Sequence, residues 1–162
     1  MSMPRLNAAG KTDVQVRLVD PDADARAAIG RLQVGPGQVA FVAPAASYLV
    51  MCDAPNSPWR PFAVERDGAI VGFVMTAVDP TDNSLSIGGL IIDFAQQGRG
   101  TGTAVVRALV ERARATGYLL VALTYAPENT AARVIYSRLG FVETDKRDGN
   151  EVIALLQLRG SS

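Results

Sequence analysis

The chain has no histidine, a single cysteine, and only two lysines, Lys11 and Lys146, among its 162 residues. The missing histidine removes Ser-His-Asp and Cys-His nucleophilic sites, histidine general bases and histidine-ligated zinc together. Cys52 stands alone, so no intramolecular disulfide can form, and with no cysteine-rich site either, no metal is expected. Sixteen basic and sixteen acidic residues give a formal net charge of zero. That balance leaves no electrostatic footprint for nucleic acid, and no basic run suits a membrane surface. No apolar run approaches the ~18 residues of a membrane-spanning helix and no signal-peptide core is visible, so a cytoplasmic location is the default expectation.

What remains describes a soluble globular chain, 48% hydrophobic and 20% charged. Its length fits one domain that can bury a core without covalent staples. Residues 1–12 are expected to be a flexible segment, 13–159 the domain, and 160–162 a tail.

The patterning alternates between helical and strand periods. Residues 14–19 alternate as a strand, and Pro21 and Asp22 open a helix through Leu32. Residues 34–61, broken by glycines and prolines, are expected to hold short helical pieces. Strands follow at 62–65 and 69–78 around the hairpin signal Arg66-Asp67-Gly68. A turn at 79–83 leads into a strand ending at Ile92, in which Gly88-Gly89 suggests a bulge or a close backbone approach. The period becomes helical at 100–116, with Val105, Val106, Leu109, Val110 and Ala113 on one face and Gly117 after it. An apolar strand at 118–124, a helix at 129–139, and strands at 141–144 and 152–158 around Asp148-Gly149-Asn150 complete an α/β domain with a mixed sheet.

The sharpest local feature is the segment Ile92-Asp93-Phe94-Ala95-Gln96-Gln97-Gly98-Arg99-Gly100-Thr101-Gly102-Thr103. A strand ends, a glycine-rich turn follows, and a helix starts within it. Unpaired N–H groups and the helix dipole at such a start suit a phosphate or pyrophosphate, although a plain tight turn fits the glycines as well. No lysine completes a Walker loop. The alternating Gly98, Gly100 and Gly102 miss the dinucleotide spacing, and the next strand lacks the distal acid.

The pattern Gln97-x-x-Gly100-x-Gly102 resembles the acyl-CoA loop of the GNAT N-acyltransferase superfamily. About thirty residues later, Asn129-x-x-Ala132-x-x-x-Tyr136-x-x-x-Gly140-Phe141 resembles that superfamily's second signature. The resemblance implies a single-domain GNAT-like fold, a mixed and largely antiparallel sheet with a splayed parallel strand pair flanked by helices. It further implies acetyl-CoA as cosubstrate and an amine as acceptor.

Residue by residue, the resemblance places the pyrophosphate on Gln97, Gly98 and the N–H groups from Arg99 through Gly100, Thr101 and Gly102 to Thr103. Leu90, Ile91 and Ile92 would pair, strand-like, with the pantetheine arm. Asn129 would bond to that arm, and Tyr136 would sit near the sulfur as general acid. Each of the last two has a plainer reading: Asn129 as a helix cap and Tyr136 as a core tyrosine. A general base is not assigned. Asp93 is the nearest acid but also suits a loop cap, and Glu65, Glu143 and Glu151 are more distant.

Residues 38–43, 61–64, 71–75 and 91–93 are also similar to bacterial spermine/spermidine acetyltransferases, and the closing Gly149-Asn150-Glu151-Val152 suits that branch too, which points to a small-molecule amine such as a diamine or polyamine. That branch often carries tryptophan and arginine where this chain has Leu85, Gly88 and Gly89. A silent acyl-CoA-binding module and a peptide-amine acetyltransferase are the alternatives. Dimerisation is common in the superfamily, but no feature of the sequence establishes it.

Overall fold

A computed structural model of the protein describes residues 14–36 and 44–158. The expected end segments and residues 38–43 lie outside the described residues. The elements run β1 (Arg17–Val19), α1 (Ala23–Gly30), α2 (Ala45–Asp53), β2 (Arg60–Arg66), β3 (Ala69–Asp79) and β4 (Ser84–Ile92). After a 3₁₀ turn (Phe94–Gln96) come α3 (Thr101–Thr116), β5 (Leu120–Tyr125), α4 (Thr130–Arg138), β6 (Val142–Asp148) and β7 (Glu151–Gln157). This is the order expected from the sequence, in one sheet of seven strands arranged β1-β2-β3-β4-β5-β7-β6.

Local chemistry sets most of the boundaries. Asp22 caps α1 by accepting from the Ala25 N–H at 2.8 Å. Asp67 and Gly68, with φ of 52° and 81°, form the two-residue turn that joins β2 to β3. Positive φ at both turn positions matches the twist of the flanking strands. Asp79 holds the β3–β4 turn, its Oδ1 accepting from the Thr81 N–H and hydroxyl at 2.9 and 2.6 Å. The same two bonds lower its carboxyl pKa, the hydroxyl bond most.

Two expectations about extent change. The 14–16 stretch lies outside β1, whose three residues pair with Val64 and its neighbours. β6 runs to Asp148 rather than 144, because its far half pairs with the start of β7.

The sheet separates two apolar layers. On one face α3 lays Val105, Val106, Leu109, Val110 and Ala113 against Val74, Leu85, Val121 and Val152. Burying five such side chains drives this packing, at ~0.8 kcal/mol per buried methylene. On the other face Ile29 of α1 and Leu49 of α2 cover Ala63, Phe73, Met75 and Ile91.

β4 and β5 are the parallel pair, registered only from Ser84↔Leu120 to Ile87↔Leu123. β4 continues to Ile92 on its β3 side, while β5 pairs with β7 as far as Tyr125. Beyond Ile87 the two strands therefore part. The divergence begins at Gly88-Gly89, opposite a register break in β3 between Phe73 and Met75, and Gly89 has φ of 59°. A bulge of this kind re-aims the strand that carries it. Side chains would be crowded at these positions, since a Cβ on Gly88 would meet the Trp59 ring at 3.1 Å and one on Gly89 the Tyr48 ring at 3.1 Å.

Candidate active site

The parted strands open a cavity of about 450 Å³ on the α3/α4 face. Its floor is Leu90, Ile91 and Ile92, its near wall the glycine loop and the first turn of α3, its far wall Asn129, Ile135 and Tyr136 of α4 and its cap. Ten of the sequence-selected positions other than Tyr136 line it. Arg99 alone does not, and its side chain reaches only Gln96, at 3.5 Å.

The start of α3 is bare. Gly100 caps the helix with φ of 79° and offers no side-chain acceptor. The first intrahelical bond closes from Ala104 N–H to Gly100 C=O at 3.0 Å, so the N–H groups of Thr101, Gly102 and Thr103 have no partner within the helix. A Cβ on Gly102 would touch only Ile92, at an ordinary 3.8 Å. Protein packing does not demand glycine there, whereas close approach of a bulky anion would. The Gln97 side chain fastens the loop from behind, Nε2 donating to the Ile92 carbonyl at 2.8 Å. Arg66, at the end of β2, donates to the buried Thr101 hydroxyl at 2.7 Å and adds a cation behind the same helix start. These features fit the phosphates of acetyl-CoA.

Asn129 serves as the α4 cap, its Oδ1 accepting from the Ala132 N–H at 3.2 Å. It also lines the cavity, so the two readings of this residue are compatible in geometry. Tyr136 is half-buried and packs its ring on Tyr125 and Phe141, with centroids 5.5 and 6.0 Å away. Its hydroxyl has no hydrogen-bond partner among the described residues. Burial pushes the phenol up to about 12, so it carries its proton at neutral pH.

Behind Tyr136 a polar group ties three elements together. Tyr125 of β5 donates to Glu143 of β6 at 2.6 Å, and Arg133 of α4 donates to the same oxygen at 2.7 Å. The Tyr125 hydroxyl, and then Arg133, hold the Glu143 carboxyl below its ordinary value. Tyr125 itself is pushed up to about 12, by burial first and then by Glu143.

A second cavity, of about 240 Å³, opens on the α1/α2 face and shares Leu90, Asn129, Ala132 and Tyr136 with the first. The two cavities therefore adjoin at the split, and Tyr136 lines both. Tyr48, Met51, Trp59 and Met75 wall this side, and Asp148 and Glu151 stand at the β6–β7 turn. Sequence reasoning did not select Tyr48, Trp59, Arg66 or Asp148, and no local spacing marks them.

The acids separate clearly. Asp93 lines neither cavity; its Oδ1 accepts from the Gln33 N–H at 3.0 Å, clamping the α1–α2 connection to the end of β4. Glu65 pairs with Arg17 at 3.3 Å, and Glu143 is engaged as described. Only Glu151 of the four faces the split. Among the described residues there is no grouping of acids and cysteine able to hold a metal, and no helix long and apolar enough to cross a membrane.

Comparison with known proteins agrees with the fold, a single sheet parted between two parallel strands. The model of the Acetyltransferase (GNAT) family matches residues 29–141, which span the loop, the parallel strands and α4, and the chain belongs to that family. It is 31% identical over 91 residues to an L-2,4-diaminobutyric acid acetyltransferase of Virgibacillus pantothenticus, an overlap of 56% of each chain. It is 42% identical over 60 residues to glucosamine 6-phosphate N-acetyltransferase 1 of Oryza sativa subsp. japonica, 37% of this chain and 34% of that one. The chain thus spans about half the length, or less, of these curated relatives. Among solved structures, a spermidine N-acetyltransferase chimera from Vibrio cholerae superposes with a TM-score of 0.70 at 18% identity, covering 88% of this chain and 95% of that one. At that identity the likeness is one of fold.

Proposed function

We propose that the chain is an acetyl-CoA-dependent N-acetyltransferase that moves an acetyl group to a primary amine of a small molecule, such as a diamine or polyamine, by direct attack on the thioester. The observation that carries this reading is the single split joining two cavities, with the Tyr136 hydroxyl unpartnered where they meet. One cavity takes the donor and the other the acceptor, so the two reactants meet only at that point.

Acetyl-CoA, when bound, supplies an activated acetyl thioester and leaves as the thiol. The N–H groups at the start of α3 hold its phosphates, helped by the helix dipole. Leu90, Ile91 and Ile92 offer backbone groups left unpaired by β5, which orient the arm and donate to the developing negative charge. Asn129 keeps its Oδ1 on the helix and turns its amide N–H groups to the cavity. Tyr136 holds a proton at its Oη and delivers it to the departing sulfur, a contribution of ~10²–10⁴-fold.

Calorimetric titration with acetyl-CoA, followed by thiol release with a panel of amines, tests the reading. Saturable binding and amine-dependent release are expected. Binding with no release from any amine would replace the enzyme with a binding module. Absence of binding would remove the proposal altogether.

A further inference from the structure

The acceptor-side cavity has walls of two chemistries. Tyr48, Trp59, Met51 and Met75 form an apolar and aromatic stretch, and its outer end carries Asp148 and Glu151. These two acids are direct cross-strand partners on either side of the turn Gly149-Asn150. Like charges placed directly opposite each other destabilise a strand pair. Neither carboxylate has an ion pair or side-chain hydrogen bond among the described residues, so none offsets the repulsion. Val152 and Ala154 of β7 pack into the α3 core, so alternation along the strand turns Glu151 to the acceptor face.

Among the described residues, the cavity lining includes no lysine or arginine. An acceptor bearing a carboxylate or phosphate would therefore meet two carboxylates and no cation among the described lining residues. One bearing an ammonium beyond its reacting amine would meet a paired acidic end, reached past aromatic rings that also favour cations.

We infer that the acceptor is a small amine with a second positive charge, an apolar spacer and no anionic group, and that Asp148 and Glu151 bind its distal ammonium. This deepens the N-acetyltransferase reading and rests on it. It also separates this chain from relatives named for diaminobutyric acid, which carries a carboxylate, and glucosamine 6-phosphate, which carries a phosphate.

The test compares three acceptors of one chain length, diaminopentane, pentylamine and aminopentanoate, by thiol release from acetyl-CoA. The readout is the ratio of kcat/KM for diaminopentane to that for pentylamine. A charge-assisted hydrogen bond supports a ratio of ~10–100, with aminopentanoate the poorest acceptor. Asp148→Asn and Glu151→Gln should each lower the ratio, and the double variant should bring it near unity. Both changes are isosteric and flank an exposed turn, and thermal melts check that the fold is retained. Binding of diaminopentane to the coenzyme A-saturated protein, followed by calorimetry, gives the same charge comparison without turnover.

A wild-type ratio near one would overturn the inference, as would variants that lower both amines in proportion, or aminopentanoate as the preferred acceptor. In those cases thiol release itself persists and the N-acetyltransferase reading stands. Failure to bind acetyl-CoA removes that reading, and this inference falls with it.

Discussion

Replacing Tyr136 by phenylalanine removes one oxygen atom from the crossing of the two cavities and leaves the ring in place. The ring contacts with Tyr125 and Phe141 survive, and the lost hydroxyl bonds to no described residue. Stability should therefore stay within about 0.5 kcal/mol of the wild type. Binding of acetyl-CoA should change little, because the proposed function puts the phosphates on the loop and α3. The loss falls on kcat. Without a proton donor beside the sulfur, single-turnover thiol release should slow by ~10²–10⁴-fold, or ~3–5 kcal/mol of barrier. The phenol, pushed up to about 12 by burial, stays protonated through the assay range. An acid limb below neutrality in the wild-type profile therefore does not belong to Tyr136. A Tyr136→Phe protein with an unchanged melt and kcat within ~3-fold of the wild type would refute the acid role and leave Tyr136 as a core residue.

Glu143→Gln should cost stability at neutral pH, because Tyr125 and Arg133 hold the folded-state carboxyl below its ordinary value. That contribution is complete above the ordinary carboxyl range and disappears as pH falls through the lowered value, so denaturant midpoints of wild type and variant should converge in acid. A gap that persists once the carboxyl is protonated in both states would show that the ion pair is not its source. Thr101→Val removes the oxygen that receives the Arg66 guanidinium at the start of α3, where the Arg66 side chain is only 22% exposed. Urea melts should show a loss of ~1–3 kcal/mol, and a loss below ~0.5 kcal/mol would mean that Arg66 finds water instead.

Where the determinants are local, the sequence was legible. Asp67-Gly68, Gly100 and Gly117 need particular backbone conformations, and α3 shows its buried face in its own periodicity. The grouping of the loop, helix start and α4 cap around one cavity was legible for the same reason: each is a contiguous segment. β6 was cut short because Val142–Asp148 is an exposed edge strand, with no buried face to impose alternation. The stretch 14–16 showed the opposite error, alternation without a partner strand. The acceptor side was the least legible. Tyr48, Trp59 and Asp148 come from α2, the approach to β2, and a hairpin far along the chain, and only strand order and register bring them together. Asp93 drew attention as an acid near the loop, yet its neighbour in space is a backbone N–H sixty residues away along the chain.

The parted strands also bear on how the protein opens and closes. β1–β4 and β5–β7 share a backbone seam of four registered pairs at one end of the sheet, Ser84–Ile87 on Leu120–Leu123. The remaining edge of β4, through Ile92, faces the gap instead of a neighbouring strand. Amides along such an edge exchange with solvent more readily than those in a closed ladder. A ligand seated in the gap acts as a surrogate rung between the halves, and its protection against exchange should spread to both β4 and β5. The sheet is then most cooperative only while it is at work, and the resting protein carries a built-in line of weakness along its active site.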